Sequence, residues 1–226
     1  MIITQTPVRI SFFGGGTDFP EFFSRHGGAV LSTTIDKFCY LTVSYLSDFF
    51  DYKIKVTYSR TELLSDWEKI EHPAVKACLN HTGITSNIEI NYFSDLPART
   101  GLGTSSSFVV GLLQALNAYR GNRVSSCRLA EEAVYVEREI IKEHVGLQDQ
   151  YAAAFGGFNY IEFLPDGSVG VEKLVYRPGT VKNLQNNLLL FYTGIQRYSD
   201  SIQEKHVANI EDNTEALLGL KELSVQ

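Results

Sequence analysis

Cysteine is scarce in this 226-residue chain: Cys39, Cys78 and Cys127 stand far apart and are odd in number. That excludes a disulfide framework and a cysteine-rich metal site, and it suits a reducing compartment, so the cytoplasm is the expected location. Long apolar runs are missing too. A stretch such as Phe108 to Leu113 is far shorter than the roughly 20 residues that cross a bilayer, and no membrane is expected as a partner. There is no basic block: 20 Lys+Arg face 26 Asp+Glu, a net charge of −6, which argues against nucleic acid. The N-terminus enters a strand pattern without the basic-then-apolar order of a secretion signal. What remains, 44% hydrophobic and 20% charged residues, is the composition of a soluble globular protein.

Two phosphate-binding motifs are likewise absent. No lysine lies between Pro97 and Ser107, so there is no Walker A loop, and Ser106 stands where a dinucleotide fingerprint needs its third glycine. The stretch itself is nonetheless informative: Pro97-Ala98-Arg99-Thr100-Gly101-Leu102-Gly103-Thr104-Ser105-Ser106-Ser107 follows a strand-like run, Ile88 to Phe93, and opens an apolar helical run, Phe108 to Tyr119. Its glycines allow a tight turn and close approach of a ligand. The helix start leaves about four N–H groups unpaired and carries roughly half a positive charge, which suits phosphate. An ordinary helix cap would use the same residue types.

Along the chain, Ile2 to Gln5 and Val8 to Phe13 read as strands on either side of Pro7, before the turn Gly14-Gly15-Gly16 and a short helix from Pro20 to Arg25. Ala29 to Ile35, Phe38 to Tyr45 and Tyr52 to Tyr58 read as strands, Thr61 to Lys69 is ambiguous, and His72 to His81 reads as a helix closed by Gly83. Helices are expected from Ser105 to Tyr119, Ser126 to Lys142 and Leu147 to Phe155, then a hairpin of Phe158 to Phe163 with Val169 to Val175. After a polar boundary, Arg177 to Asn187, an apolar strand, Leu188 to Tyr192, and a helix from Ser199 to Leu223 close the chain. One strand and one helix cannot bury a core alone. The tail therefore either packs onto the first domain or belongs to a longer protein, and the second is the expectation.

Four features combine into one chemistry. Phosphoryl transfer from a nucleotide needs a phosphate cradle, a divalent metal, positive charge and a group that orients the attacking hydroxyl. The loop Gly101 to Ser107 offers the cradle; a Ser105 hydroxyl and the Glu137 carboxylate suit magnesium, which prefers oxygen. Asp149, in Gly146-Leu147-Gln148-Asp149-Gln150, can take a proton from a sugar or alcohol hydroxyl. Arg9, a permanent cation, can pair with that aspartate and neutralise phosphate. Each has a plainer alternative: Glu137 with Arg138 as a surface pair, Asp149 as a helix-dipole partner, Asp18 as a cap for the helix at Pro20, Arg9 paired with a neighbouring acid.

Pro97 through Ser107 resembles the second motif of the GHMP kinases, commonly Pro-x-x-x-Gly-Leu-Gly-Ser-Ser-Ala. Pro7-Val8-Arg9-Ile10-Ser11-Phe12-Phe13-Gly14-Gly15-Gly16-Thr17-Asp18 resembles the first motif in its sugar-kinase form, most like the heptose 7-phosphate kinases. The resemblance implies an α/β (α+β) chain: a ribosomal protein S5 domain 2-like ATP-binding domain over residues 1–180, then the beginning of a ferredoxin-like C-terminal domain over 181–226. It implies ATP and Mg2+ as cofactors. Gly101, Leu102, Gly103, Thr104, Ser105 and Ser106 would bind the nucleotide phosphates, and Ser105 and Glu137 the metal. Asp149 and Arg9 would be catalytic, and Gly16, Thr17 and Asp18 would bind the sugar. The implied reaction is phosphorylation of the anomeric hydroxyl of a manno-heptose 7-phosphate, with an L-fucose or galactose-type sugar, or a non-catalytic sugar sensor, as alternatives. Arg60, Arg99 and Arg197 are candidate ligands for a substrate phosphate. The partner is then a small sugar or sugar phosphate, and a homodimer stays open. The family's third, glycine-rich motif has no counterpart up to Gln226, which points to a truncated chain.

Overall fold

The computed structural model describes residues 1–97, 100–191, 203 and 207–225. One long strand organises it. Strand β2 (Gly28–Tyr45) runs through Asp36-Lys37, where the sequence suggests a break, and carries neighbours along both edges. Strand β1 (Ile2–Phe13) pairs along one edge; β5 (Ile88–Ser94) and β6 (Phe158–Phe163) share the other, so Cys39 faces both Thr6 and Ser94 while Leu31 faces both Phe13 and Tyr160. The sheet continues outward through β3 (Ile54–Thr57) to β4 (Thr61–Leu64) on one side and to β7 (Val169–Lys173) on the other, giving the order β4-β3-β5-β2-β6-β7 with β1 beside β2. Among the described strands only β3 and β5 run parallel. Pro7 does not divide β1. Among the described strands β1 pairs with β2 alone, and its register shifts between Pro7 and Arg9; an edge position or a bulge is where a missing N–H is tolerated.

Period-two burial puts Leu41, Val43, Ile54, Val56, Ile88 and Ile90 on one face. Helices α2 (Pro73–Thr82) and α3 (Thr104–Tyr119) cover that face with Val75, Cys78 and Leu79, and with Val109, Leu112, Leu113 and Leu116. Almost every turn of α3 is buried, as its apolar run predicts. A second cluster joins Val30, Ile161 and Phe163 of the sheet to Phe23 of α1 (Pro20–His26), Ala130 of α4 (Ser126–Tyr135) and Tyr151 of α5 (Gln148–Phe155). The expected single helix from Ser126 to Lys142 changes type: α4 ends at Tyr135 and Val136–Ile141 is π-helical, closed by Lys142 at φ 69°. No proline or glycine marks that change.

The polar boundary holds a short exposed helix, α6 (Thr180–Asn186). Residues 188–191 have no regular structure, and Tyr192 with Arg197 lies outside the described residues. The tail helix α7 (Thr214–Val225) and the turn before it pack onto α1 and β2: Ile210 of the turn and Leu217 of the helix meet Phe19 and Phe22, and Ser224 Oγ donates to Ala29 O at 3.2 Å.

The turn after β1 is the tightest junction. At Gly14, φ is +81°, and a Cβ would sit 1.8 Å from Ala29 O, whereas at Gly15 nothing lies within 4 Å. Gly14→Ala therefore forces both a strained φ and a backbone clash and is expected to lower the unfolding free energy by about 2–4 kcal/mol, while Gly15→Ala changes it by about 0.5 kcal/mol or less. Urea unfolding of the two variants beside the parent checks this. Equal losses would refute the packing assigned to Gly14.

Candidate active site

Strand β1 delivers Arg9, and three contacts tie that strand to the start of α3. Ser107 Oγ donates to Pro7 O at 2.8 Å, Arg9 N to Leu102 O at 3.1 Å, and Arg9 Nη1 to Gly101 O at 2.8 Å. The guanidinium then turns to Asp149: Nε lies 2.7 Å and Nη2 2.6 Å from Oδ1, both side chains being mostly buried. Gly103, at φ +75°, is wedged against that pair. A Cβ there would lie 3.1 Å from Asp149 Oδ2 and 3.5 Å from Arg9 Cγ, so a side chain would fill the space beside the carboxylate. Helix α3 begins at Thr104 without a side-chain cap. The first recorded intrahelical bond is Ser107 N to Gly103 O, leaving the amides of Thr104, Ser105 and Ser106 as donors in search of an anion.

The first turn of α5 binds the rest together. Gln148 donates from its backbone N to Asp18 Oδ2 at 3.1 Å and from Nε2 to Asp18 Oδ1 at 3.0 Å, while Ser11 Oγ donates to its Oε1 at 2.5 Å. Asp149, next in sequence, takes Arg9. Gln150, next again, donates from Nε2 to Glu137 Oε2. Ser106 Oγ reaches the same carboxylate at 3.1 and 2.9 Å. Three successive side chains thus fix groups from β1, the Gly14–Asp18 turn and the π-helical turn.

Two of the four plainer alternatives fail, those for Glu137 and Asp18, while Asp149 does stand in the first turn of α5. Glu137 has no exposed surface, and Arg138 pairs with Glu21 at 3.1 Å instead. Asp18 is 1% exposed and does not cap α1, whose N-cap is Phe19 with no side-chain bond. Arg9 does pair with an acid, and the acid is Asp149. Two expected pairings are redrawn. Ser105 is exposed, and Ser106, one residue on, meets Glu137. Thr17 is buried with its hydroxyl within reach of Gly14 O (2.8 Å) and Ala29 O (3.0 Å), so it holds the turn. Gly16 N donates to Asp18 Oδ1 at 3.1 Å. Leu102 enters through its carbonyl, and Thr104 is buried at the helix start. Gln148, Gln150 and Ser11 are the members that motif reading passed over; the only signal was their adjacency to Asp149 and Arg9 in sequence. Arg60, a candidate phosphate ligand, is bound to Glu71 at the β3–β4 end of the sheet, and Arg99 and Arg197 lie outside the described residues.

The donors present fit the expected cofactors. Glu137 and Ser106 offer only oxygen, as a hard divalent cation requires, and the uncapped α3 start beside Gly103 suits nucleotide phosphate. Burial is the main force on the carboxylates: it raises Asp18, with the Asp149 charge adding to it and the Gln148 amide opposing it, and it pushes Glu137 up to about 8 against the bonds from Gln150 and Ser106.

Residues 67–157 match the model of the GHMP kinases N terminal domain. The chain is 29% identical to the D-glycero-alpha-D-manno-heptose 7-phosphate kinase of Campylobacter jejuni, over 100% of this chain and 70% of that protein. It is 24% identical to the galactokinase of Pyrococcus furiosus, of which it spans 60%. A crystal structure of a D-glycero-D-manno-heptose 1-phosphate kinase from Bacteroides thetaiotaomicron superimposes with a TM-score of 0.77 at 27% identity, covering 98% of this chain and 74% of the other. Among the described residues no helix is long and apolar enough to cross a membrane.

Carboxylates whose pKa values are raised on folding hold protons that the unfolded chain has released, so stability is fully present below the ordinary carboxylate range and declines as pH rises. For both groups the decline begins in the ordinary carboxylate range, and for Glu137 it continues through its folded pKa of about 8. Urea unfolding in the presence of a chelator at pH 5 and pH 8.5 is expected to show the parent losing stability with pH and Glu137→Gln losing much less. A parallel pH profile for the two would contradict the burial assigned to Glu137.

Proposed function

We propose, from the match of residues 67–157 to the GHMP kinases N terminal domain and from the sugar kinases among the relatives, that the chain transfers phosphate from ATP to the anomeric hydroxyl of a manno-heptose 7-phosphate. The product would feed nucleotide-heptose synthesis. The observation that carries the reading is the Arg9–Asp149 pair, at 2.6–2.7 Å, set against Gly103 at the open start of α3. A carboxylate that must accept a proton from a sugar hydroxyl and a phosphate that must receive that hydroxyl need to be neighbours, and the closeness of Asp149 to Gly103 supports this reading.

In this reading the amides of Thr104, Ser105 and Ser106 hold the nucleotide phosphates, with Gly101 and Gly103 giving the backbone its close approach. Bound magnesium would offset the phosphate charge; Glu137 and Ser106 would hold it, with the exposed Ser105 hydroxyl on the same turn. Asp149 accepts the proton of the acceptor hydroxyl. Arg9 fixes the orientation of that carboxylate through two nitrogens and adds positive charge where negative charge develops. Gly16 and Asp18 would bind sugar hydroxyls. Both Asp18 oxygens already accept bonds from Gly16 and Gln148, so a sugar hydroxyl would join or replace one of them. Thr17 shapes that turn from beneath. A second reading, a galactose- or fucose-type acceptor without a phosphate, is favoured by the commitment of Arg60 to Glu71.

The test is ADP release from Mg-ATP with manno-heptose 7-phosphate, L-fucose, galactose and mannose. Turnover is expected with the heptose phosphate, and Asp149→Asn is expected to reduce it by roughly 10²–10⁴-fold while nucleotide binding persists. Turnover with galactose or fucose alone would establish the second reading. A parent chain that binds no ATP would overturn the assignment of the loop from Gly101 to Ser107.

A further inference from the structure

Gln150 has no exposed surface and sits one residue beyond Asp149 in the first turn of α5. Its Nε2 donates to Glu137 Oε2, opposite the Ser106 hydroxyl on α3, so the Glu137 carboxylate is held from two helices. The other end of the same amide is unusual. Gln150 Oε1 is buried and has no hydrogen-bond partner among the described residues. An unsatisfied buried carbonyl costs about 1–3 kcal/mol, and a leucine or methionine would fill the volume without that cost. The amide therefore contributes something other than packing. Around it lie a carboxylate and a hydroxyl, and the leftover atom is a third oxygen: a set suited to a hydrated hard cation. The π-helical turn that carries Glu137 adds a further local irregularity at the same point, and such turns concentrate at functional sites.

We propose that Gln150 is a positioning residue for the divalent cation: its amide N–H fixes the Glu137 carboxylate, and its carbonyl oxygen is left for the ion's water shell. The proposal rests on the reading of Glu137 as a cation ligand given above. Groups that orient a metal-binding side chain typically change metal affinity or activity by about 10–100-fold when removed.

The test uses the full chain with Mn2+ as the probe, its binding measured by titration calorimetry in the presence of a non-hydrolysable ATP analogue. Gln150→Met keeps the volume and removes both polar atoms. It is expected to weaken Mn2+ binding by about 10–100-fold, to leave analogue binding without metal unchanged, and to raise the Mg2+ concentration for half-maximal turnover while kcat at saturating Mg2+ stays near the parent value. Should that variant not fold, Gln150→Asn, which withdraws the amide by one methylene, carries the same expectation. Unchanged Mn2+ affinity in the Gln150 variant, with affinity lost in Glu137→Gln, would overturn the role of Gln150 alone. Full Mn2+ affinity in Glu137→Gln would overturn the cation assignment itself, and this proposal with it.

Discussion

The Arg9–Asp149 ion pair is the constraint on which the rest of the arrangement depends. It joins residues 140 apart in sequence, the middle of an edge strand and the first turn of a late helix, and its guanidinium also takes the carbonyl of Gly101. Both side chains are mostly buried but keep some contact with water, so removing one member costs less than the roughly 3–5 kcal/mol seen when a fully buried pair is broken. The pair therefore does two things at once. It fixes the aspartate beside the glycine turn, and it sets the depth at which β1, the loop before α3 and the start of α5 can meet.

From that point the site spreads by adjacency in sequence. Gln148 and Gln150 flank Asp149, and because successive residues of a helix's first turn diverge by about 100°, they reach in different directions: one to Asp18 behind the Gly14 turn, the other to Glu137 on the π-helical turn. Ser106 approaches Glu137 from α3. All three carboxylates thus answer to a single helical turn. Displacement of α5 would disturb the proposed proton acceptor, cation ligand and sugar ligand together, and this coupling ties the second core cluster, with Tyr151, Leu147 and Ala152 packed with Val30, Ile161 and Phe163, to the proposed chemistry.

Much of this was legible before the structure. The buried α3, the helix capped by His72 and Gly83 and the hairpin of β6 with β7 follow from periodicity and turn residues, because those elements bury a face of regular period. The residue types of the glycine and hydroxyl loop, Arg9, Asp18, Glu137 and Asp149 singled them out in the sequence, and the structure brings them to one junction; their roles belong to the proposed function. What escaped depended on tertiary context. Pro7 and Asp36-Lys37 look like strand breaks, yet an edge position and pairing on both sides of β2 carry the chain through. The π turn has no sequence mark: neither proline nor glycine stands in Val136–Ile141. Ser105 and Ser106 are chemically alike, and only the helix direction decides which meets the carboxylate. The tail reads as the opening of a second unit because a new strand-and-helix pattern begins at Leu188; the contact of Leu217 with Phe19 and Phe22 joins opposite ends of the chain and has no mark in the sequence.

The energetics of the carboxylates give the site its direction. Glu137 is held at no exposure with a pKa near 8, and Asp18 is likewise raised by burial, so at neutral pH the fold sustains two acids under conditions that disfavour their charge. Hydrophobic packing does not reward this; the carboxylates are held by the donors around them, from Gly16 and Gln148 to Asp18 and from Ser106 and Gln150 to Glu137. A divalent cation reverses the sign of the environment at Glu137, because the nearest charge then favours the ionised form that burial had opposed. Binding of cation and phosphate at the α3 start would thus relieve a strain already built into the fold. In the proposed kinase the liganded state would be the more stable one, and the stability gained on binding would measure how far the empty site was held from its own optimum.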